Sequence, residues 1–309
     1  MGLNNVPENW NLGIEDPFVT KEFGEASKFG GEVYYVKNGE KKAIIVIKKK
    51  YISLFSRANI FTNSEDKSFL EKIISNLKRK KIPYARIGNT MVGPEKIIDL
   101  ENSKIIERHT FILDLKKSEK ELWANFDKKL RNSVRKAEKE GILVSEIKNE
   151  NELEAYYNLS LETEKYIKES KGRKTFSLQD YSFFKALLEN KLGRFFIAKY
   201  GGEAIAGVLF LVWGDKSIYF HSCLSREHSS KQAPSLIQWT SIKELKRYSI
   251  KEYDLGGITI GLDRGDSRFF VYEFKKKFGG KLKEFYNIEV ELSRFKKVQD
   301  SLIKLVYGK

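Results

Sequence analysis

The sequence predicts an α+β protein of two domains, and three observations support this prediction. The chain has 309 residues, enough for two domains of ordinary size. Its hydrophobic content of 41% is that of a globular protein, so both domains can bury a core. In its second part the predicted order is helix, strand, helix, hairpin strands, helix, strand, which is typical of α+β proteins. We place the domains at residues 1–108 and 109–309.

The first domain has the pattern of a small α/β unit. Glu32–Val36 and Lys42–Ile47 are strand-like runs on either side of a turn. Ser68 is predicted to cap a helix, because four apolar residues follow it at helical spacing, namely Phe69, Ile73, Ile74 and Leu77. A strand is predicted at 82–87, and a further strand begins near 108–115.

The second domain starts with the strand near 108–115, and a predicted long helix follows it. Ser118 and Glu121 have the spacing of a capping box. Apolar residues then recur at helical spacing until Gly141 ends the element, namely Leu122, Phe126, Leu130, Val134 and Ala137.

The rest of the chain alternates strand and helix patterns. We predict a strand at 142–147, helices at 151–169 and 178–190, a three-stranded meander at 194–223, a helix at 235–248, and strands at 252–255 and 272–278. A last amphipathic helix carries Phe295, Val298, Leu302 and Leu305, and it could pack back on the first domain.

Composition restricts the partners and the compartment. The net charge of +15 favours anionic partners, namely nucleic acid, phosphorylated precursors or anionic lipid, although an AT-rich genome or a hot habitat would also enrich lysine. The single cysteine, Cys223, excludes a disulfide framework and suits a reducing compartment. No signal peptide is visible, and the longest apolar run, Ala204–Trp213, is too short to span a membrane. We therefore expect a cytoplasmic protein whose membrane contact is at most peripheral.

Some kinds of catalytic site are missing from the sequence. His109, His221 and His228 lack metal-ligand spacing, and there is no Gly-x-Ser-x-Gly nucleophile motif. We expect a reaction that uses neither a metal nor a covalent intermediate. Transfer of an activated acyl group to an amine fits, because it needs oxyanion stabilisation, positioning and a route for one proton.

A basic helix is the first of three candidate sites. Its cations surround an apolar stripe and are Lys128, Lys129, Arg131, Arg135, Lys136 and Lys139. Such a face suits a phosphate-rich partner, although a solvated lysine face gives the same pattern.

The second candidate is the segment 272–281. If it is a strand, alternation places Phe274, Lys276 and Phe278 on one face and Lys275 and Lys277 on the other. A lysine beside an aromatic ring can bind a diphosphate or an oxyanion, but an edge strand protected by lysines would look the same.

The third candidate is the glycine-rich segment 256–266. It lacks the ending of a P-loop and the dinucleotide spacing, so we interpret it as a shaped loop that lines a cleft.

These segments together resemble a known family. The segment Trp123–Ile142, with Leu130-Arg131-Asn132-Ser133-Val134-Arg135-Lys136-Ala137 at its centre, closely resembles the signature of FemABX-like proteins, the aminoacyltransferases that build interpeptide bridges in cell-wall precursors. Further blocks keep the order and spacing, namely Ile205–Gly207, Tyr219–Ser222, Ala233–Trp239, Tyr253–Gly257 and Phe274–Gly280. The resemblance covers roughly residues 109–290.

The resemblance implies a fold and a reaction. It implies two tandem GNAT-like domains with a cleft between them and no coiled-coil arm. The donor would be aminoacyl-tRNA as co-substrate, with no other cofactor, and the acceptor an amine of a nucleotide- or lipid-linked wall peptide, from peptidoglycan or an archaeal analogue. We expect a monomer, with possible peripheral contact to anionic membrane.

The resemblance also implies roles for individual residues. Phe274 and Lys275 would lie at the reacting centre, and Arg173 and Tyr181 would bind the acceptor. The other substrate-binding candidates are Tyr219, His221, Gly256, Gly257 and Lys277, of which Tyr219 and His221 would line the same channel. Candidates for binding tRNA are Arg131, Arg135 and Lys136. The general base stays open among Asp254, Asp263 and Asp266, a water chain and the substrate.

Two alternatives remain open at this point. One is an acyl-CoA-dependent N-acyltransferase acting on a surface-polysaccharide amino sugar. The stretch 226–234, where CoA-using relatives carry a glycine-rich pyrophosphate loop, has no glycine, which argues against CoA. The other alternative is an RNA-binding protein without catalytic activity, which needs only the basic surface.

Overall fold

The computed structural model describes residues 5–48, 56–89, 91–170 and 178–293. The chain divides into two compact units, one of Met1–Arg108 with Glu284–Lys309 and the other of His109–Lys283. The predicted C-terminal helix with Phe295 and the acceptor-binding candidate Arg173 lie outside the described residues.

Eight α-helices occur in these ranges. They are α1 (Lys21–Ser27), α2 (Lys67–Arg79), α3 (Glu119–Asn125), α4 (Lys128–Lys139), α5 (Glu150–Ser170), α6 (Tyr181–Glu189), α7 (Ala233–Arg247) and α8 (Ser267–Lys276). None of these described helices is long and apolar enough to cross a membrane.

Strands alternate with the helices along the chain. They are β1 (Glu32–Asn38), β2 (Lys41–Lys48), β3 (Arg57–Thr62), β4 (Tyr84–Ile87), β5 (Ser103–Asp114), β6 (Leu143–Glu146), β7 (Gly193–Tyr200), β8 (Glu203–Trp213), β9 (Lys216–Leu224), β10 (Glu252–Asp254) and β11 (Lys281–Glu291).

The first unit is a sheet of order β1-β2-β3-β4-β11 covered by α2. Among the described strand pairs of this unit, β3 and β4 pair in parallel and the others are antiparallel. The predicted strands and helix are present, and β3 is an additional strand. The cap of α2 is Asp66, whose Oδ1 accepts from Phe69 N at 2.7 Å, so the predicted cap Ser68 is wrong by two residues.

The second unit is a sheet of order β5-β10-β9-β8-β7-β6. β10 pairs in parallel with β9, and the other described pairs are antiparallel, so the predicted meander of β7, β8 and β9 is confirmed. Helices α4 and α7 pack on one face, where their apolar residues join Phe196 and Phe210 in the main core. On the other face α5 packs through Tyr156, whose ring lies 5.3 Å from that of Phe195.

The predicted long helix from Ser118 is two helices. The capping box of Ser118 and Glu121 is present and opens α3. Phe126 then adopts an extended conformation, and the Asp127 side chain caps α4 by accepting from Lys129 N at 2.7 Å. The apolar spacing continues across this break because Phe126 is buried with both helices, which is why the sequence pattern resembles one helix.

The strand predicted at 272–278 is wrong, because these residues largely belong to α8. The Asp266 side chain caps the helix by accepting from Arg268 N at 2.8 Å. The alternation argument placed Lys276 with Phe274 and Phe278, but Lys276 is exposed while Lys275 is buried. Because the segment is helical, the edge-strand alternative fails as well.

Candidate functional site

A buried lysine marks the candidate active site of the second unit. Lys275, on α8, is 8% exposed. Its Nζ donates to the carbonyl oxygens of Gly256 and Gly257, both at 3.1 Å, in the loop that follows β10. Nζ also lies 5.3 Å from the centroid of the Tyr219 ring. In the described part of the chain no third acceptor bonds to this ammonium, which has three donor hydrogens.

Helix packing directs Lys275 toward the sheet. On the preceding residue, the Phe274 ring contacts that of Phe278 at 5.3 Å, and Phe278 in turn contacts Phe126 at the same centroid distance. The backbone N–H of Asp127 donates to the Lys277 carbonyl at 2.8 Å, which ties the end of α8 to the start of α4. Phe274 thus packs the helix, while the next residue reaches the loop.

Gly256 allows the loop to pass beside Tyr219. Its φ is +72°, and a Cβ at this position would lie 2.7 Å from the Tyr219 carbonyl oxygen and 3.4 Å from Lys275 Nζ. Glycine meets both demands, because it adopts positive φ without penalty and has no side chain to collide.

Asp254 supplies the negative charge next to this loop. Its Oδ1 accepts from the Gly256 N–H at 2.7 Å and from the Thr110 hydroxyl, whose oxygen also lies 3.0 Å from the Gly256 carbonyl oxygen. Thr110 on β5 therefore links the carboxylate to the loop.

Burial perturbs both charged groups of the site. It lowers the pKa of Lys275 to about 8, against the opposing effect of the Asp254 charge. It raises the pKa of Asp254 to about 6, although the Thr110 and Gly256 hydrogen bonds and the Lys275 charge act in the other direction. Near pH 7 an ammonium and a carboxylate are therefore both present, each close to its titration.

Two further polar side chains lie behind Tyr219. The buried Tyr253 hydroxyl donates to Gln238 Oε1 at 2.6 Å, while Gln238 Nε2 is buried without an acceptor in the described ranges. Sequence analysis missed Thr110, Gln238 and Tyr253 as site residues, because they come from β5, α7 and β10 and share no local motif.

Tyr219 and His221 do not line one channel as predicted, because they lie on opposite faces of the sheet. β9 pairs Tyr219 with Phe210 and His221 with Leu209, two consecutive residues of β8, and the register shifts between them. The His221 Nδ1 instead contacts the Tyr156 hydroxyl at 2.7 Å on the face of α5, where burial lowers its pKa to about 4.

Tyr181, Arg131, Arg135 and Lys136 make their described contacts with groups other than Lys275 and its loop. Tyr181, on α6, packs against the Tyr157 ring at 5.3 Å. Arg131 donates to the carbonyl groups at the end of α3, including that of Ala124 at 3.0 Å. Arg135 lies over the Trp123 ring at 5.5 Å, and Lys136 Nζ donates to the Ser230 carbonyl at 3.2 Å. Their substrate and tRNA roles stay predictions.

The first unit contains a groove of about 500 Å³ between β1 and α2. Its apolar lining is Val36, Ile45, Phe69 and Ile73, and Lys37 and Lys72 also border it. No sequence motif indicated it, because its residues are contributed by three separate elements.

A family assignment follows from comparison with known proteins. The model of the FemAB family matches residues 98–191 and 190–287, which is more than half of the chain. The chain belongs to the FemAB family. A search of the curated proteins finds no similar sequence.

Solved structures share the fold of this FemAB-family chain. A crystal structure of FemX is 18% identical, with a TM-score of 0.61 and 93% of each chain covered. L-PGS from Bacillus licheniformis is 13% identical, with a TM-score of 0.59, covering 100% of this chain and 98% of that one. A fungal GCN5-related glucosamine N-acetyltransferase region is 9% identical, with a TM-score of 0.51, covering 87% and 34%. The predicted fold class, α+β with two tandem GNAT-like domains, is confirmed, and the FemAB-family chain is an acyltransferase.

The first prediction concerns the glycine beside Tyr219. Gly256→Ala should destabilise the FemAB-family chain by about 1–3 kcal/mol more than Gly261→Ala, because overpacking of a close contact has that cost. Gly261, the control, has the same φ of +72°, but a Cβ built there would have no heavy atom within 4 Å. Urea unfolding of both variants measures the difference, and equal losses would contradict the contact with Tyr219.

The second prediction concerns Asp254. Its pKa in the folded chain, about 6, is above its ordinary value of 3.8, so the native state binds more protons in this window. Its contribution to the unfolding free energy must therefore fall as the pH rises from about 4 to about 6. Asp254→Asn should remove that fall in urea titrations across this range. Asp263→Asn, at an exposed position of the following loop, should follow the wild type.

Proposed function

We propose that this chain transfers an amino acid from aminoacyl-tRNA to an amine of a cell-wall peptide precursor. The observation that carries the proposal is the Lys275 ammonium, buried against the Gly256 and Gly257 carbonyls in a FemAB-family chain. The reaction joins the acceptor nitrogen to the ester carbonyl carbon and breaks the bond to the ribose oxygen. The amine loses one proton and the released ribose hydroxyl gains one, so the step is balanced without a metal or covalent intermediate.

Lys275 would stabilise the oxyanion that forms during this reaction. Two of its N–H groups point to carbonyl oxygens, which leaves one donor for an anionic oxygen. Because the ammonium is desolvated, a hydrogen bond to developing negative charge is stronger than it would be in water. The Tyr219 ring, 5.3 Å from Nζ, would help to hold the ammonium in place.

Asp254 is the acidic residue that best fits the role of proton acceptor. Its raised pKa of about 6 gives it more basicity than an exposed carboxylate, and it interacts electrostatically with Lys275. The other two candidates have structural roles. Asp263 accepts from the Gly265 N–H at 2.8 Å, and Asp266 caps α8.

The proposed co-substrates match the charge of the protein. A net charge of +15 attracts both tRNA and a phosphorylated, nucleotide- or lipid-linked precursor, and Arg135 and Lys136 present exposed cations on α4. We propose no cofactor besides aminoacyl-tRNA, and a monomer as the active form. A tRNA donor implies that the reaction occurs in the cytoplasm, where tRNA is charged.

The runner-up is an acyl-CoA-dependent transfer to a surface-polysaccharide amino sugar. The likeness to a fungal glucosamine N-acetyltransferase region favours it at the level of the fold. Against it, α7 begins at Ala233 with Pro234 in its first turn, which removes one backbone N–H where a pyrophosphate would bind. Calorimetry with acyl-CoA distinguishes the two proposed functions. Micromolar affinity for acyl-CoA would make the acyl-CoA-dependent transfer the better supported one.

The direct test combines the purified chain with charged tRNA and a peptide-bearing wall precursor. Mass spectrometry should detect a precursor extended by one amino-acid residue. Absence of product with every aminoacyl-tRNA, from a preparation that unfolds cooperatively, would reject the proposal.

The third prediction concerns the catalytic lysine. Lys275→Met should lower kcat about 10²–10³-fold, the usual cost of losing one oxyanion donor, with little change in KM. Lys276→Met is the matched control, since the neighbouring side chain is exposed, and it should keep nearly full activity on a soluble acceptor. Equal losses of activity in both variants would contradict the role assigned to Lys275. If the chain is an RNA-binding protein without catalytic activity, neither substitution affects its function, and that result would also contradict the role.

The fourth prediction is a bell-shaped pH dependence of kcat/KM. The rate should rise as Asp254 loses its proton near pH 6 and fall as Lys275 loses its proton near pH 8. Asp254→Asn should lower the maximum and abolish the acidic limb. Persistence of that limb in the variant would assign it to another group.

A further inference from the structure

Apolar side chains are exposed on α8 and in the loop before it, ahead of Lys275 in the sequence. On α8, Phe270 is 60% and Val271 is 45% exposed, and Ile260, in the loop that leads into α8, is 41% exposed. These three residues are called the α8 surface below. Single exposed apolar residues are common, but two adjacent ones at the start of a helix, with a third in the loop before it, leave hydrocarbon that favours removal from water.

The sequence that contains the α8 surface is rich in positive charge. Residues 260–283 contain seven lysines and arginines and three acidic residues, a balance of +4. Five of the cations are exposed, namely Arg264, Arg268, Lys276, Lys281 and Lys283, and of these Arg268 is paired with Asp266. An anionic partner is therefore attracted to the place where hydrocarbon is presented.

The chemistry of the apolar residues distinguishes lipid from RNA. Single-stranded RNA binds by stacking bases on aromatic rings, but Val271 and Ile260 are aliphatic and have no ring to stack on. Phe270, in addition, has its ring in edge-on contact with Phe269, at a centroid distance of 5.6 Å. Aliphatic and aromatic side chains surrounded by lysine and arginine are the composition that lies in the interface of an anionic bilayer.

We propose that the α8 surface binds anionic lipid bilayers, with Phe270 and Val271 inserted at the level of the headgroups. Lys275 follows Val271 by four residues, one helical turn, so the contact would bring the reacting centre close to the membrane. If the proposed function holds, on which this purpose rests, the acceptor is a lipid-linked precursor presented at that membrane.

The test is cosedimentation of the full chain with vesicles. The wild type should bind vesicles of equal phosphatidylglycerol and phosphatidylcholine, bind phosphatidylcholine alone much more weakly, and lose binding as salt increases. The double variant Phe270→Ser with Val271→Ser should lower the partition coefficient at least about tenfold. Leu143→Ser with Leu161→Ser, which removes two exposed leucines elsewhere in the same unit, should not change it.

A second pair of variants tests the charge. Arg264→Gln with Lys276→Gln should weaken binding to anionic vesicles and reduce its salt dependence. Lys116→Gln with Lys120→Gln, which changes two exposed lysines outside residues 260–283, should weaken vesicle binding much less. Equal losses in the two pairs would indicate a general effect of net charge and overturn the proposal, as would the absence of vesicle binding by the wild type.

Failure of this proposal is distinguishable from failure of the proposed function. Vesicle binding without any aminoacyl transfer would support the membrane contact and reject only the reaction. Transfer to a water-soluble acceptor should be unchanged by Phe270→Ser with Val271→Ser, and its loss would place these residues in the substrate site instead. Loss of tRNA binding with vesicle binding intact would assign the α8 surface to RNA.

Discussion

The burial of one ammonium group against two backbone carbonyls organises the second unit. The Gly256 and Gly257 carbonyls can face Lys275 only because Gly256 adopts a positive φ beside Tyr219. A buried charge is costly unless it is compensated, and here the carbonyl dipoles and Asp254 provide the compensation. The loop, the end of α8 and the end of β10 are therefore constrained together by a single desolvated charge.

The same constraint connects stability to reactivity. Desolvation makes Lys275 easier to deprotonate and Asp254 harder to ionise, so both groups titrate within about a unit of neutral pH. A fold selected only for stability would favour an apolar side chain at position 275, because replacing buried charges with hydrophobic residues is often stabilising. A lysine at this position is easier to explain by chemistry than by packing.

The sequence predicted the fold well where a local signal existed. The capping box at Ser118 and the turns of the β7–β9 meander determine local structure directly, and both are present. Segment 272–278 was misassigned because its alternating aromatic and basic residues satisfy the period of a strand, whereas the helix depends on the cap at Asp266 several residues earlier. Lys275 was identified from the family resemblance. Thr110, which bonds to Asp254, lies 144 residues before it, and no local pattern connects the two.

The extra residue in β9 has a consequence for how this protein can change. Because the register shifts between Tyr219 and His221, Tyr219 faces the lysine site and His221, two residues later, faces α5. A substitution at His221 therefore changes the packing of α5, whereas a substitution at Tyr219 changes the surroundings of Lys275. Without the extra residue these two side chains would lie on one face, so the bulge lets a single strand supply side chains two residues apart to opposite sides of the sheet.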